Sequence, residues 1–400
     1  MTTSALPKKV TKTLIDPFKT FSTFFLRRSV ERAFQLDESP LGLSLHPNTT
    51  ITANPPFITS AVDDIMYVVS QLLQRAMSTS QAEIVVSTSA TIARVLGSDF
   101  IGMAQRKMRD ESYPKPVVQG ALPPEDKVLQ FMVLINNLDV ACDYMGRIVR
   151  THLQVEPSQQ SQQNGNGAPK PRTLANLFPM GRDAHAVKTA LESLESSVTS
   201  KARELLGDGI AVLFAQVLKP RLRQLLADVF REVDYSADYS RSGESGDRDA
   251  NGDEYADDDV PAGETKAIRN RLQHGWEVLT RPLKRILTAP AYDRLLSAAV
   301  TFIAGVLERR IWSYHGKVGT LGAVALERDI SDLVNIVTRN ERFALREGFA
   351  RCVEIVSVMN LEEEEWDEQM QLSEEEKKEM GWVLSEEERA RARGLMGKSG

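Results

Sequence analysis

This 400-residue chain has few of the residues that most often carry out chemistry: two cysteines, five histidines and 6% aromatic residues. Cys142 and Cys352 lie far apart, each within an apolar helical pattern, which predicts buried free thiols in a reducing compartment rather than a disulfide framework. The histidines lack metal-ligand spacing to one another or to either cysteine. We therefore expect no catalytic residue, no cofactor and no metal site.

The chain also lacks a basic excess and a long apolar run. Lys and Arg number 49 against 55 Asp and Glu, for a formal net charge of -6, which excludes a typical nucleic-acid binder. The longest apolar run, AAVTFIAGVL at 298–307, is too short to cross a bilayer, and the amino terminus has no signal-peptide core. We expect a cytosolic chain that reaches membranes through partners, without direct membrane insertion.

Helical periodicity dominates what is present. Apolar residues recur in steps of three and four over 58–77 and over 128–149, which predicts two long helices. The first should end near Ser78, and the spacing of Ser80 and Glu83 predicts a capping box that starts the next helix. Turn-bounded alternation of period two is missing. The predicted fold class is all-α, built as irregular helical bundles without a fixed repeat.

Two segments interrupt the helical pattern. Residues 155–172 consist mostly of Gln, Asn, Gly and Pro, with almost nothing to bury. Residues 234–264 hold eleven acidic and two basic residues among Gly, Ser and Ala. Neither segment has enough apolar surface to offset the entropy of ordering, so both are predicted to be disordered connectors.

The acidic connector contains a spacing that nearly matches a calcium loop. Asp247, Asp249 and Asn251 are followed by Gly252 and, later, by Asp258, as in an EF-hand. The last ligand is Asp where a bidentate Glu is usual, and no helix clearly follows. We interpret the spacing as a product of acidic composition, with calcium binding as the alternative.

A second pattern points to an enzyme class. Asp63 and Asp64 are similar to the aspartate-rich motif of all-α isoprenoid synthases, which bind magnesium through carboxylates one helical turn apart. The positions one turn later are Tyr67 and Val68, and no second acidic motif is evident. We interpret the two aspartates as a polar pair on an amphipathic helix, and keep an isoprenoid-synthase-like enzyme as the alternative.

Four stretches of sequence carry a resemblance to a known family. They are AVDDIMYVVSQLLQRAMSTSQAEIVVSTSA, VLINNLDVACDYM, ALERDISDLVNIVT and EGFARCVEIVSVMNLE, at 61–90, 133–145, 325–338 and 347–362. In this order they closely resemble the carboxy-terminal region of the fourth subunit of the conserved oligomeric Golgi (COG) complex. Single helical words recur by chance, so the specificity lies in their order.

The resemblance implies a non-enzymatic subunit of a Golgi vesicle tether, acting in retrograde intra-Golgi transport. The implied fold is an elongated, exocyst-like set of helical bundles with a small carboxy-terminal helical domain. The implied partners are other subunits of the complex, SNARE proteins and small GTPases, at the cytosolic face of Golgi membranes, where the chain would be peripheral. A subunit of another helical-rod tether, such as the exocyst, is the alternative.

Sequence and resemblance together predict three parts. Residues 1–57 form a connecting segment with a leading helix, 58–338 the main helical bundle, and 339–400 a junction helix with the small terminal domain. Within the last part, the spacings of Ser373 with Glu376 and of Ser385 with Glu388 are capping boxes, which predict short helices starting near 374 and 386.

The resemblance also implies one structural site. In the family, an arginine in the word GFAR forms a salt bridge to a glutamate near the start of a following helix. The matching positions here are Arg351 and Glu376. We therefore expect this pair to fix the small terminal domain to the rest of the chain, the simpler interpretation being that Arg351 is solvated and Glu376 only caps its helix.

Overall fold

The computed structural model confirms the all-α fold class. It describes residues 11–118, 121–153, 174–231, 233–236, 262–338, 343–370 and 381–397. Within these ranges every regular element is a helix, apart from one isolated parallel bridge between Val318 and Met396. The predicted connector 155–172 and the calcium-like spacing Asp247 to Asp258 lie outside the described residues.

The helices are numbered in chain order, with π-helical stretches at Thr11–Ile15, Leu96–Ile101, Lys107–Glu111 and Phe214–Leu218. They are α1 Asp16–Gln35, α2 Ser60–Ser78, α3 Ala82–Glu111, α4 Glu125–Leu153, α5 Leu174–Leu177, α6 Gly181–Leu213, α7 Lys219–Val229, α8 Ala262–Ile286, α9 Ala289–Ser313, α10 Thr320–Val337, α11 Phe343–Glu347, α12 Ala350–Asn360, α13 Glu363–Met370 and α14 Glu386–Arg393.

The helices divide into two compact units. The first contains Met1–Gln216 and Pro282–Arg294, and the second contains Val217–Arg281 and Leu295–Gly400. The predicted main bundle, 58–338, therefore contributes to both units, because composition identifies linkers but not which helices pack together. The three-part division by composition and resemblance stays a prediction.

Helix α4 forms the centre of the first unit. Its apolar stripe from Val128 to Val149 is buried as the periodicity predicts, and it packs along α6. Gly209 on α6 permits this approach, since a Cβ there would lie 2.6 Å from Met108 Cε and 3.2 Å from Ile135 Cγ1. The close packing of α4 and α6 thus depends on the missing side chain at Gly209 as well as on the apolar side chains around it.

A buried amide connects α4 to two other segments of the first unit. Asn136 is fully buried, and its Nδ2 donates to the carbonyl oxygens of Phe57 at 3.0 Å and Ile286 at 2.8 Å. Its Oδ1 accepts a hydrogen bond from the backbone N–H of Thr288 at 2.9 Å. The Asn136 side chain therefore provides hydrogen-bond partners for three backbone groups that have no partner within a helix.

Helix α3 is the described helix that has the length and apolar composition of a membrane span. Half of its apolar stretch, 50%, is buried inside the fold. The buried side chains, including Ile92 and Leu96, face neighbouring helices of the first unit. This burial is what a core helix shows.

In the second unit, residues 233–236, at the start of the acidic connector, pack against α10; we call them the strap. Tyr235 is buried, and its hydroxyl donates to Asp329 on α10 at 2.8 Å. Burial raises the pKa of Tyr235, so its hydroxyl stays protonated and able to donate, and burial also raises the pKa of Asp329. A Cβ at Gly322 would lie 1.8 Å from the Tyr235 carbonyl oxygen, so α10 admits the strap only because that position is glycine.

Two local predictions are wrong. Ser80 does not cap α3: its φ is +51°, and Gln81 occupies the N-cap position without a side-chain hydrogen bond. The predicted disorder of 234–264 fails at both edges, because Tyr235 is anchored and 262–264 begin α8. The average composition of this segment does not reveal that the Tyr235 ring is buried and holds the strap in place.

The cysteines behave as predicted. Cys142 and Cys352 are free and buried. Burial raises the pKa of Cys142 to about 11 and that of Cys352 to about 12, so both stay as inert thiols.

Candidate functional site

The candidate site is a junction in the second unit where α9, α12 and α14 meet. Arg351 lies at the start of α12, and its guanidinium reaches two carboxylates from other helices. Nη2 donates to Glu308 Oε1 and to Glu388 Oε1, each at 2.7 Å, and Nε donates to Glu308 Oε1 at 3.1 Å. We call Glu308, Arg351 and Glu388 the terminal junction.

The terminal junction is partly open to solvent, since its side chains are 25% to 35% exposed. Hydrogen bonds from Arg351 lower the pKa of Glu388 to about 2 and also lower the pKa of Glu308. The same bonds raise the pKa of Arg351. All three groups therefore stay charged across the physiological range, and the fork of the guanidinium matches the two carboxylates in geometry as well as charge.

Glu388 has a second role at the start of α14. Its Oε2 accepts the backbone N–H of Ser385 at 2.9 Å, while Ser385 Oγ accepts the backbone N–H of Glu388 at 3.3 Å. This reciprocal pair is the capping box that the sequence predicts. The residue that starts α14 is thus also the residue that ties it to α12.

Three arginines of α14 lie over tryptophan rings. The cation-to-ring distances are 3.8, 4.5 and 5.8 Å for the pairs Arg389 with Trp382, Arg391 with Trp312, and Arg393 with Trp366. Such contacts contribute roughly 0.5–1 kcal/mol when exposed and about 2 kcal/mol when desolvated. The sequence RARAR therefore docks by cation–π contacts rather than by an apolar stripe.

Backbone contacts complete the attachment of α14. Glu354 on α12 accepts hydrogen bonds from the backbone N–H groups of Val383 at 2.7 Å and Leu384 at 3.1 Å. Arg393 donates to the carbonyl oxygen of Leu361, just beyond the end of α12. These contacts fix the loop before α14 and the last turn of the helix at the same time.

The segment after α14 is held by backbone pairing. Val318 donates to the Leu395 carbonyl oxygen at 3.2 Å, and Gly397 donates to the Val318 carbonyl oxygen at 2.9 Å. Leu395 is fully buried, and a Cβ at Gly394 would lie 2.8 Å from His315 Cε1. Gly394 therefore permits the tail to approach the loop that follows α9 closely.

The structure places one of the two predicted site residues and not the other. Arg351 lies at a helix junction, whereas Glu376 lies outside the described residues, so the pair of Arg351 with Glu376 stays a prediction. Sequence reasoning missed Glu308 and Glu388 as partners. The second capping box was the available signal for Glu388, since it also places a glutamate near the start of a following helix; Glu308 carries no local signal.

The aspartates of the enzyme alternative have a structural partner. Asp63 accepts a hydrogen bond from the Tyr144 hydroxyl at 2.9 Å, which links α2 to α4. Across the part of the chain that the structure describes, no cluster of three or more His, Cys, Asp or Glu side chains could hold a metal ion. The arrangement at Asp63 is that of a contact between helices.

Comparison with protein families identifies the chain. Residues 131–391, which include the whole terminal junction, match the family model described as "Conserved oligomeric Golgi complex subunit 4, C-terminal". Residues 1–108 match the model described as "COG4 transport protein, middle alpha-helical bundle". The chain belongs to the conserved oligomeric Golgi complex subunit 4 family. This confirms the resemblance.

Curated members of the subunit 4 family match at low identity over most of this chain. The Arabidopsis thaliana member is 26% identical over 85% of the chain, the Saccharomyces cerevisiae member 24% over 96%, and the Homo sapiens member 22% over 87%. The chain spans 39%, 50% and 41% of the lengths of these relatives. The names of these relatives describe a subunit of an oligomeric Golgi complex.

A solved structure shows the same fold. The C-terminal domain of the exocyst subunit Sec6p aligns with a TM-score of 0.54 at 12% identity, covering 100% of this chain and 88% of that one. This likeness establishes a helical fold shared with an exocyst subunit. It confirms the exocyst-like fold class predicted above.

Proposed function

We propose that this chain is part of a subunit of the Golgi vesicle-tethering complex and acts in retrograde intra-Golgi transport by binding alone. The observation that carries the proposal is the family match over 131–391. The fold shared with an exocyst domain supports it, since helical bundles present extended surfaces to other proteins. The chain would carry out no enzymatic reaction.

The terminal junction would give this tether a fixed end. Arg351 joins α9, α12 and α14 through two carboxylates, and the arginines of α14 add their contacts with tryptophan rings. A surface that must present the same face to a partner needs its last helix held in one orientation, because ordering it on binding would reduce affinity. The junction would thus preorganise a binding surface.

The partners would be other subunits of the complex, with SNARE proteins and small GTPases as further partners. The expected location is the cytosolic face of Golgi membranes, with the chain held there peripherally through those partners. The net charge of -6 supports protein partners over nucleic acid.

Affinity purification from cells tests this function. The tagged chain should co-purify with other Golgi-complex subunits, and Arg351→Ala should reduce recovery of those whose binding depends on α14. A matched control is Arg109→Ala, an exposed arginine on α3 that pairs with the neighbouring Asp110. Recovery of exocyst subunits instead would favour the alternative tether, whose fold is the same.

The enzyme alternative has its own assay. Magnesium-dependent release of diphosphate from a prenyl diphosphate, lost in Asp63→Asn, would reject a purely associative function. We expect no turnover in either protein, and a small loss of stability in the variant because Tyr144 loses the charge on its hydrogen-bond acceptor.

A further inference from the structure

Helix α1 in the first unit is apolar on two sides. One side packs into the bundle through Ser22, Leu26, Val30 and Ala33. The other side carries large apolar residues that face solvent: Leu14, Phe21, Phe24 and Phe25 are 66%, 72%, 67% and 46% exposed. We call these four residues the outer face of α1.

The outer face is a continuous stripe rather than scattered exposure. At 100° per residue, Phe21 and Phe25 lie about 40° apart and Phe24 widens the stripe on one side, while Leu14 lies in the π-helical stretch that leads into α1. The stripe extends over about three helical turns, which is the length over which a second helix makes contact. Exposed apolar patches of this kind mark binding sites.

Two observations indicate what covers this face. The matched family description places residues 1–108 in a "middle alpha-helical bundle", and relatives of this chain are more than twice as long as the matched part. A "middle" bundle and a "C-terminal" region imply an amino-terminal region that precedes both in the family. The family therefore has a further region that is available to cover this face.

Two arginines beside the stripe pair with carboxylates of the first unit. Arg28 pairs with Glu31 at 2.6 Å, and Arg27 lies 3.5 Å from Asp99 on α3. Both pairs lie within the first unit, while Arg32 on the same helix is exposed, so the test below includes anionic vesicles to separate a helix from a lipid surface.

We propose that the outer face of α1 is a docking seam for an amphipathic helix supplied by the amino-terminal region of a subunit 4 family chain. Phe21 and Phe25 are the anchors of this seam, because both rings lie along the line of the stripe and large aromatic side chains dominate such interfaces. The proposal concerns how the family's own helices assemble, so its failure would leave the tethering function untouched.

The test uses the whole chain and the amino-terminal part of the Saccharomyces cerevisiae relative, both as a separate protein and joined ahead of this chain. Hydrogen exchange of the backbone amides of residues 14–25 should slow by about tenfold when the amino-terminal part is present, either as a separate protein or joined to this chain. Phe21→Ser combined with Phe25→Ser should remove this protection and weaken binding of the separate part by at least about tenfold.

The control is Val117→Ser, which replaces another exposed apolar residue of the first unit, 82% exposed, in the segment between α3 and α4. It should leave exchange and binding unchanged, and circular dichroism should show the same helicity in all variants. Unchanged exchange in both arrangements would overturn the proposal. Binding to phosphatidylserine vesicles that requires Phe21 and Phe25 would also overturn it, and so would self-association that requires them. Each of these results would assign the face to a different occupant.

Discussion

Helix α4 in the first unit and helix α14 in the second are both held by tertiary contacts, but by opposite chemistry. Helix α4 buries an apolar stripe against α6 and uses Gly209 to bring the two helices together. Helix α14 has the sequence EEERARAR, in which only two alanines are apolar, and its attachment relies on carboxylates, guanidinium groups and tryptophan rings.

The difference shows that a helix without an apolar stripe still docks when its charges meet shaped partners. An eight-residue helix is too short to persist in isolation, so the polar contacts must supply most of its order, with help from buried Leu384 and Leu395 on either side. Apolar packing should tolerate changes of pH and salt, whereas the docking of α14 should respond to both.

The largest effect is expected from Asn136→Ala in the apolar region. The change leaves three backbone groups without partners, two of them in buried hydrogen bonds and one in a part-buried bond, which should lower the free energy of unfolding by about 3–5 kcal/mol. Urea denaturation followed by far-UV circular dichroism measures this loss. Asn48→Ala, at an exposed loop position, is the control and should stay within about 0.5 kcal/mol. A similar small value for Asn136→Ala would show that packing alone holds α4.

Arg389→Ala should have the next largest effect. Arg389 is buried, lies 3.8 Å from the Trp382 ring, and lies 3.9 Å from Glu354. Losing these contacts should cost about 2 kcal/mol and speed proteolysis beyond residue 380. Tryptophan fluorescence offers a direct readout, because all four tryptophans of the chain belong to the second unit.

The matched control for that change is Arg391→Ala, whose guanidinium lies over Trp312 but is exposed. Its expected loss is about 0.5–1 kcal/mol. Equal losses for the two variants would mean that burial of Arg389 adds nothing, and that α14 is held by the leucines beside it.

Arg351→Ala should have a smaller effect, because the terminal junction is partly exposed. We expect a loss of about 1 kcal/mol, with faster proteolysis after residue 360 and almost unchanged total helicity. Double-mutant cycles with Glu388→Gln and with Glu308→Gln should each give a coupling energy of about 0.5–1 kcal/mol.

The same cycle with Glu376→Ala tests the pair that the family resemblance implies. A coupling to Glu376 as large as that to Glu388 would show that Arg351 engages both capping-box glutamates. Additive effects would leave Glu376 with its capping role alone.

The smallest effect is the pH dependence of α14 docking. The pKa of Glu388 is lowered to about 2 in the folded chain from the ordinary value of 4.5, so its contribution to stability is complete above about pH 5. That contribution should fall as the pH drops from about 5 towards 2. Glu388→Gln should flatten this part of the profile of hydrogen exchange in α14. An unchanged profile would assign the acid sensitivity to other carboxylates.

The sequence by itself determined where two long helices run and where one capped helix begins. Steps of three and four apolar residues located α2 and α4 within a few residues, and Ser385 with Glu388 located the start of α14. These features depend on residues close together in the chain, so local pattern is enough to find them. The ordered motifs also identified the family, and through it pointed to Arg351.

Only the tertiary structure decided which distant residues meet. Glu308 and Arg351 are 43 positions apart, and Arg391 and Trp312 are 79 apart, so no local spacing connects them. Tyr235 holds its strap through Asp329 on α10, although the surrounding composition predicts disorder. Composition and periodicity average over neighbours along the chain, whereas such contacts depend on how whole helices pack. Arg27 and Arg28 on α1 therefore stay more than half exposed, whereas Arg389 on α14 is buried, because the fold brings different rings and carboxylates to the two helices.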